Sequence, residues 1–145
     1  MKTTPTKSTA TLHAGAATVD VTPPGSVFLF GYPHVPRMST GVHDPLECAA
    51  LYLRRDGTQV LLLANDVIFV SKAHAAEIRR RIRERTGIRE DAIMITATHT
   101  HSGPLMAECI SNAADPVVPA PDARYLELFT TQVVTANELF TIPAP

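Results

Sequence analysis

The sequence predicts an α/β fold built on a mixed, mostly parallel sheet with flanking helices. Two apolar runs lie on either side of Asp56-Gly57, a dipeptide typical of tight β-hairpins. A basic segment with apolar residues at helical spacing follows them and ends at Gly87. A further apolar run, over 92–97, comes next. A strand, a helix and a strand in this order predict a parallel pair joined by a right-handed crossover.

The predicted elements follow a polar segment over 1–13, rich in Thr and Lys at its start, that we expect to be a flexible tail. The run Val60 to Ala64 is apolar without alternation, which is typical of a strand buried on both faces. The proline-containing stretch over 106–120 is interpreted as a long loop. In chain order we predict a strand over 16–22, strands over 47–54 and 59–65, a helix over 71–86 capped by Ser71, a strand over 92–97 and a helix that opens at Pro121-Asp122.

The composition bounds the function classes. At 145 residues the chain is long enough for one domain with a hydrophobic core. Its formal net charge of -1 gives no indication of a nucleic-acid partner or of attraction to an anionic membrane. Arginines cluster over 79–85, but glutamates interleave with them, so we predict the solvated face of a helix. Cys48 and Cys109 lie among small apolar residues and are predicted to be buried free thiols.

The start of the chain shows no secretory signal, because its first 12 residues contain no apolar core. No apolar run approaches the length of a membrane span, so no transmembrane segment is predicted. These observations favour the cytoplasm as the location of this chain. His13, His34 and His74 have no converging partners in the sequence, and we expect them at the surface.

The most informative stretch runs from Thr98 to Pro104, directly after the predicted strand over 92–97. In an extended segment residues two apart share a face, so His99 and His101 are expected to project together. Neutral imidazole is the commonest metal ligand and carries protons near neutral pH. Neighbouring hydroxyls, those of Thr98, Thr100 and Ser102, are candidates to orient the rings or a water molecule. The alternative is that both histidines are half-buried polar residues with no ligand.

A second observation places polar residues at the same edge of the sheet. Asp66 follows the predicted strand over 59–65, and His99 follows the strand over 92–97. If these strands are parallel, their carboxyl ends meet at one edge, where ligands of open α/β sheets bind. This edge is therefore the predicted location of a functional site.

Five segments occur in the order that one enzyme family shows. They are Gly15-Ala16-Ala17-Thr18-Val19-Asp20-Val21-Thr22-Pro23, Phe30-Gly31-Tyr32, Gly41-Val42-His43-Asp44-Pro45-Leu46, Leu61-Leu62-Leu63-Ala64-Asn65-Asp66 and Ala97-Thr98-His99-Thr100-His101-Ser102-Gly103-Pro104. Together they resemble the N-terminal domain of the neutral/alkaline non-lysosomal ceramidases, and the segment with two histidines is the most specific. On this resemblance, 14–145 is a partial ceramidase N-terminal domain and the first part of a larger catalytic domain.

The resemblance implies a zinc-dependent amidase that hydrolyses the N-acyl bond of ceramide or of a related lipid amide. It implies that His99 is a zinc ligand and that His101 lies at the same site, with a catalytic role in handling substrate or protons. The substrate is then a lipid amide or another small amide. The true substrate is not fixed by the sequence, because the bacterial branch that shares the Gly-Val-His-Asp-Pro-Leu segment is broad.

The same resemblance implies ligands that have no counterpart here. In that family a second histidine, a glutamate and a tyrosine come from later parts of a much longer protein. We therefore expect a truncated or fragmentary member that is not a competent amidase alone. His43, Asp44 and Asp66 are the candidates to complete or support the site from within the chain. The alternatives are that His43-Asp44 begins a turn before Pro45 and that Asp66 caps a loop.

Two other functions stay open at this point. The chain can be a non-catalytic remnant or interaction module that keeps the fold. It can also be a small metal-binding protein whose site forms at a symmetric dimer, with His99 and His101 from each copy. A half-domain without its partner layer would expose apolar surface, which predicts self-association. Tyr32 can line a pocket, although an aromatic residue after Gly31 is more often part of a core.

Overall fold

In a computed structural model of the chain, the described residues are 11–32, 34–107 and 115–136. Four strands form one sheet in the order β1-β2-β3-β4, and two helices pack on it. The predictions on Cys109, on the first ten residues of the tail and on the last nine residues lie outside the described part. The elements are β1 (His13–Asp20), β2 (Glu47–Arg55), β3 (Thr58–Asn65), α1 (Lys72–Thr86), a 3₁₀ turn (Glu90–Ala92), β4 (Ile93–Ala97) and α2 (Ala123–Ala136).

The predicted α/β fold and mixed sheet are confirmed, although parallel pairing is limited to β3 and β4. The pairs β1–β2 and β2–β3 are antiparallel, so the sheet is not mostly parallel. The hairpin explains one of them, because Asp56 (φ 48°) and Gly57 (φ 78°) both have the positive φ of a type I′ turn. A turn of this kind reverses the chain and leaves Arg55 opposite Thr58. The first strand begins three residues earlier than predicted, at His13.

Helix α1 begins and ends where the sequence predicts. The Ser71 hydroxyl accepts the backbone N–H of His74 (3.2 Å), which satisfies one of the free donors of the first turn. Gly87 follows the helix at φ 74°, and its N–H donates to the carbonyl of Arg83 (2.9 Å). The arginine cluster is a solvated helix face, as predicted, and its ion pairs include Arg80 with Glu77 and Glu84, Arg81 with Glu77 and Glu127, and Arg83 with Glu90.

The hydrophobic core lies between one face of the sheet and the two helices. Burial of large apolar side chains here is the main force that holds the layers together. Cys48 is a free thiol inside this core, as predicted, and burial raises its pKa to about 12. The largest fully buried apolar side chains are Phe129, Leu61, Leu63, Ile78, Ile82, Met106, Val21, Val67, Val133 and Val134.

The opposite face of the sheet is uncovered in the described part of the chain. Burial alternates along the first six residues of β2, where Cys48, Ala50 and Tyr52 are buried and the residues between them are exposed. The prediction that Val60 to Ala64 is buried on both faces is therefore wrong, because Val60 and Ala64 are exposed. No helix or strand among the described residues packs on this side, which we call the outer face.

The carboxyl ends of β3 and β4 lie side by side because these strands are parallel. Asn65 pairs with Ala97 at this edge, so the chain leaves both strands at one place, toward Asp66 and His99. The prediction that these two strand ends meet at one edge of the sheet is thus confirmed. Neither helix of the described part is long and apolar enough to cross a membrane.

Candidate functional site

The loop that carries His99 and His101 continues the pairing of β3 and β4 beyond the strand ends. Thr98 donates its backbone N–H to the carbonyl of Asn65 (2.9 Å), and His99 donates its N–H to the carbonyl of Val67 (3.1 Å). His99 has a φ of 63°, a left-handed conformation that costs a non-glycine residue on the order of 1 kcal/mol or more. The surrounding hydrogen bonds hold this conformation, and backbone strain of this kind clusters at functional sites.

The imidazole of His99 is oriented from the backbone. Its Nδ1 lies 2.8 Å from the carbonyl oxygen of Ile68. Because a carbonyl only accepts, Nδ1 carries the proton of the neutral ring and Nε2 keeps its lone pair. A backbone carbonyl on one ring nitrogen is the usual support for a histidine whose other nitrogen binds metal. His99 as a whole is an exposed residue.

The ring of His101 lies against that of His99, although the left-handed φ of His99 means that this segment is not the extended one on which the prediction rested. The ring centroids are 5.1 Å apart with an interplanar angle of 73°. Tyr32 contacts the His101 ring edge-on, with centroids 5.3 Å apart. On another side the ring meets the backbone of Gly31, where an added Cβ would lie 2.4 Å from His101 Cγ. Gly31 also has a φ of 122°, so only glycine fits at this position.

A segment from Leu29 to Arg37 brings these partners to His101. Phe30 donates its N–H to the carbonyl of Gly103 (3.0 Å), and Leu29 donates to the carbonyl of Arg37 (2.7 Å). The Arg37 guanidinium lies 4.4 Å from the ring centroid of Tyr32 and donates to the carbonyl oxygen of His101 (2.9 Å). Arg37 thus joins two of the residues around the histidine pair. This role could not be predicted from the sequence, because no local pattern relates positions 37 and 101.

The hydroxyl residues of the same loop line a cleft that the two rings do not line. Thr98, Thr100 and Ser102 line a cleft of about 780 Å³, and neither histidine lines it. The Thr100 hydroxyl accepts the backbone N–H of Ser102 (3.2 Å). The expectation that these hydroxyls orient the rings therefore has no contact to support it, and the carbonyl of Ile68 takes that part for His99.

The three further candidates from the sequence all line this cleft. His43 and Asp44 contact each other through Nδ1 and Oδ2 (2.7 Å), and their side chains are 96% and 85% exposed. Asp66 is placed differently, since its Oδ2 accepts the backbone N–H of Glu47 (3.1 Å) and its own N–H donates to the carbonyl of Glu47 (2.9 Å). Asp66 thereby joins the end of β3 to the start of β2.

A buried carboxylate near the site has no signal in the sequence. Asp115 accepts the backbone N–H groups of His34 (2.9 Å) and Val117 (3.0 Å), and its side chain is only 3% exposed. The bond from Val117, followed by the bond from His34, lowers the pKa of this carboxyl. Asp115 also lies 3.2 Å from His34 Nδ1, so His34 has a partner although its side chain is at the surface, as predicted. His13 is exposed and His74 is half-buried.

The described residues supply part of a metal site. His99, with Nε2 unprotonated in its neutral form, fits the role of one zinc ligand, and His101 lies beside it. Within residues 11–32, 34–107 and 115–136, no group of at least three His, Cys, Asp or Glu side chains comes together to hold a metal ion. A catalytic zinc site takes three protein ligands, so the arrangement is compatible with zinc and incomplete in this part of the chain.

Comparison with known proteins finds matches among solved structures and none among family profiles or curated sequences. No protein-family profile and no curated protein sequence matches the chain. Among solved structures, neutral ceramidase from Pseudomonas aeruginosa matches with a TM-score of 0.77 and 19% sequence identity, over 90% of this chain and 21% of that chain. A ceramidase complexed with C2 matches with a TM-score of 0.74 and 19% identity, over 88% of this chain and 20% of that one.

The chain thus spans about a fifth of the length of the solved structures that it matches. The superposition covers nearly all of this chain. Because the sequence identity is only 19%, the match is evidence about the fold alone. The resemblance that the sequence predicts is confirmed at this level: the chain has the fold of a portion of neutral ceramidase.

Proposed function

We propose that the chain is the histidine-bearing portion of a zinc-dependent amidase of the ceramidase type. The substrate class is ceramide or a related lipid amide, whose N-acyl bond is hydrolysed. The observation that carries the proposal is the hydrogen bond from His99 Nδ1 to the carbonyl of Ile68, which leaves Nε2 available beside the His101 ring. The fold shared with a neutral ceramidase supports the same function.

In this proposal His99 would hold the metal through Nε2, because the carbonyl of Ile68 orients its ring through Nδ1. Zinc, when bound, supplies Lewis acidity toward an amide carbonyl and toward water. His101 is the residue that handles substrate or protons, since its ring contacts that of His99 and is held by Gly31 and Tyr32. Arg37 keeps the His101 backbone in place through the bond to its carbonyl.

The cleft lined by Asp66 and by Thr98, Thr100 and Ser102 is the candidate space for a part of the substrate remote from the amide, because neither His99 nor His101 lines it. Its volume of about 780 Å³ lies in the range of small-molecule sites, which is roughly 300–1,000 Å³. His43 and Asp44 stand at the same cleft with exposed side chains and are candidates to contact a polar group of the substrate. Asp66 supports the site by holding the adjacent strand ends together.

The described residues alone do not make a competent amidase in this proposal. Two imidazoles are fewer than the three protein ligands of catalytic zinc, so further ligands have to come from outside the described residues. A second candidate function is a non-catalytic interaction module, which the apolar outer face of the sheet favours. The two candidates differ in whether His99 binds metal at all.

Zinc titration of the metal-free chain tests the proposal, with binding followed by calorimetry for the wild type, His99→Ala and His13→Ala. His13 lies at the opposite end of the sheet and is the matched control. We expect wild-type binding weaker than roughly 1 µM because ligands are missing, a further loss of at least about tenfold in His99→Ala and no change in His13→Ala.

Equal affinity of the wild type and His99→Ala would overturn the assignment of His99. Binding of one zinc per chain, tighter than roughly 1 µM and abolished by His99→Ala, would show that the chain completes its own site. That result would support the metal role and contradict the statement that ligands are missing. Half a zinc per chain would instead indicate a site shared by two copies.

A further inference from the structure

Asn65, the last residue of β3, carries a polar side chain into the hydrophobic core. Its exposed fraction is 0%, and the register places it beside the buried Cys48 of β2. The amide nitrogen Nδ2 donates to the carbonyl oxygen of Thr96 in β4 (2.9 Å) and lies 3.4 Å from the carbonyl oxygen of Leu63. The side chain therefore ties β3 to β4 close to the point where both strands end.

The oxygen of the same amide has no such bond. Oδ1 of Asn65 is buried and accepts no hydrogen bond from the described residues. Turning the amide over gives no relief, because Oδ1 would then face the carbonyls of Thr96 and Leu63, which also only accept. A buried acceptor without a partner costs stability, and such groups are rare in native proteins. An apolar residue at this position would avoid that cost.

The backbone of Asn65 serves the same place in the fold. Its carbonyl oxygen accepts the N–H groups of both Val67 and Thr98, each at 2.9 Å. His99 in turn donates its N–H to the carbonyl of Val67 (3.1 Å), and its ring Nδ1 lies 2.8 Å from the carbonyl oxygen of Ile68. Both of these bonds of His99 therefore end on the short segment that begins at Asn65.

Asn65 thus holds the end of β4 on both sides of Ala97. The side chain bonds the carbonyl of Thr96, and the backbone carbonyl bonds the N–H of Thr98. The next residue, His99, has a φ of 63°, which persists only where the surroundings impose it. Without the side-chain bond, the end of β4 is held at this point by the Thr98 bond alone, and the constraint on His99 is weaker.

We propose that Asn65 is a positioning residue for His99. Its amide holds the end of β4 so that the His99 ring meets the Ile68 carbonyl, and the unbonded oxygen is a cost to the fold that accompanies this geometry. Only the metal role of His99 in this inference rests on the proposed function, since the orientation of the ring does not require metal. A purely structural amide would instead contribute to stability and leave the His99 ring unaffected when it is replaced.

Asn65→Val tests the proposal, because valine suits a strand, is apolar and is too short to press on the Thr96 carbonyl. Thr130→Val is the matched control. Thr130 is also buried in the core (2% exposed), and its hydroxyl donates to the carbonyl of Leu126 (2.8 Å) in α2, so this variant too removes one buried donor to a backbone carbonyl.

The first measurement is a long-range ¹⁵N–¹H spectrum of the imidazoles on the full, metal-free 145-residue chain. We expect His99 to be the Nδ1–H tautomer in the wild type and in Thr130→Val, and a mixture of both tautomers in Asn65→Val. Zinc titration should then show a loss of affinity of about tenfold in Asn65→Val, as is usual when the support of a ligand is removed, and no loss in Thr130→Val.

Thermal unfolding of the same variants separates positioning from a structural role. We expect Asn65→Val to melt at a temperature no lower than that of the wild type, because loss of the unbonded oxygen offsets loss of the Thr96 bond. A lower melting temperature with an unchanged His99 spectrum would overturn the proposal in favour of a structural amide. A lower melting temperature with mixed tautomers would support positioning and contradict the statement that the oxygen is a cost to the fold.

Two further outcomes are decisive. In the wild type, the side-chain amide protons of Asn65 should exchange with solvent far more slowly than those of the half-buried Gln59, and equal rates would overturn the proposal even if Asn65→Val did not fold. If wild-type zinc binding did not depend on His99, the proposed amidase function would fail. The tautomer comparison would still decide whether Asn65 positions the ring.

Discussion

Two histidine-bearing loops stand at the same edge of the sheet, and they are held in different ways. The ring of His99 is fixed by a backbone carbonyl, and the ring of His101 is enclosed by Gly31 and Tyr32. The pair His43 and Asp44 has only its mutual contact, and both side chains are almost fully exposed. One loop presents oriented imidazoles, whereas the other presents a solvent-exposed contact between an imidazole and a carboxylate.

The difference shows which histidine rings are held in one orientation. A ligand or proton carrier works best when its rotamer is set before the substrate arrives, and packing together with hydrogen bonds sets it. An exposed ion pair is worth about 0–1 kcal/mol and fixes little, since solvent competes with each partner. The contrast supports the metal role that we propose for His99 and gives His43 no such support.

The largest expected effect in a matched test comes from Gly31→Ala. Its Cβ would lie 2.4 Å from His101 Cγ, and the residue has a φ of 122°, so the ring is displaced and the fold loses about 1–3 kcal/mol. Gly41→Ala, next to His43, is the control, because nothing lies within 4 Å of its Cβ. Urea unfolding measures the loss, and the imidazole signals of His101 report the displacement. Equal stability of the two variants would contradict the close contact.

The two aspartates of the cleft provide the next comparison. Asp66→Ala removes the acceptor for the Glu47 N–H, and a loss of about 0.5–1.5 kcal/mol is expected because this backbone donor then lacks its protein partner. Asp44→Ala should change stability by less than about 0.5 kcal/mol, as is usual for an exposed surface residue. Urea unfolding of both variants measures the difference. A larger loss in Asp44→Ala than in Asp66→Ala would reverse our ranking of the two loops.

The smallest expected effect is a pH dependence that belongs to Asp115. Its pKa is lowered from the ordinary value of 3.8, chiefly by the Val117 N–H and then by the His34 N–H. The stability it contributes is therefore present above about pH 3.8 and is lost as the pH falls through the lowered pKa. Asp115→Asn should flatten this part of the curve of melting temperature against pH. If the melting temperature of Asp115→Asn fell at low pH as steeply as that of the wild type, these hydrogen bonds would not account for the pH dependence.

Much of the fold was predictable because its signals are local. Asp56-Gly57 sets the hairpin, Ser71 and Gly87 bound α1, and the strand–helix–strand order gives the parallel pair. The pairing of His99 with His101 at the sheet edge was predictable for the same reason, since the two residues are neighbours in the chain. The likeness to the ceramidases was carried by short motifs whose order the fold preserves.

The supports of the site could not be predicted from the sequence. The bond from Arg37 to the His101 carbonyl joins residues 64 positions apart, and that from His34 to Asp115 joins residues 81 apart. No local periodicity encodes such contacts. The prediction that Val60 to Ala64 is buried on both faces was wrong for a related reason. An apolar composition shows that a strand is suited to burial, but it does not show which part of the chain covers it.

The measurement that tests the central assignment most directly is a long-range ¹⁵N–¹H NMR spectrum of the imidazoles, recorded on the metal-free chain at a pH where histidines are neutral. We predict that His99 is the Nδ1–H tautomer, because its Nδ1 faces the Ile68 carbonyl, and that added zinc first shifts His99 Nε2 and the His101 ring. Two results would contradict the assignment of His99 as the metal ligand. One is a His99 ring protonated at Nε2 and not at Nδ1, and the other is a zinc titration in which the signals of His43 change before those of His99.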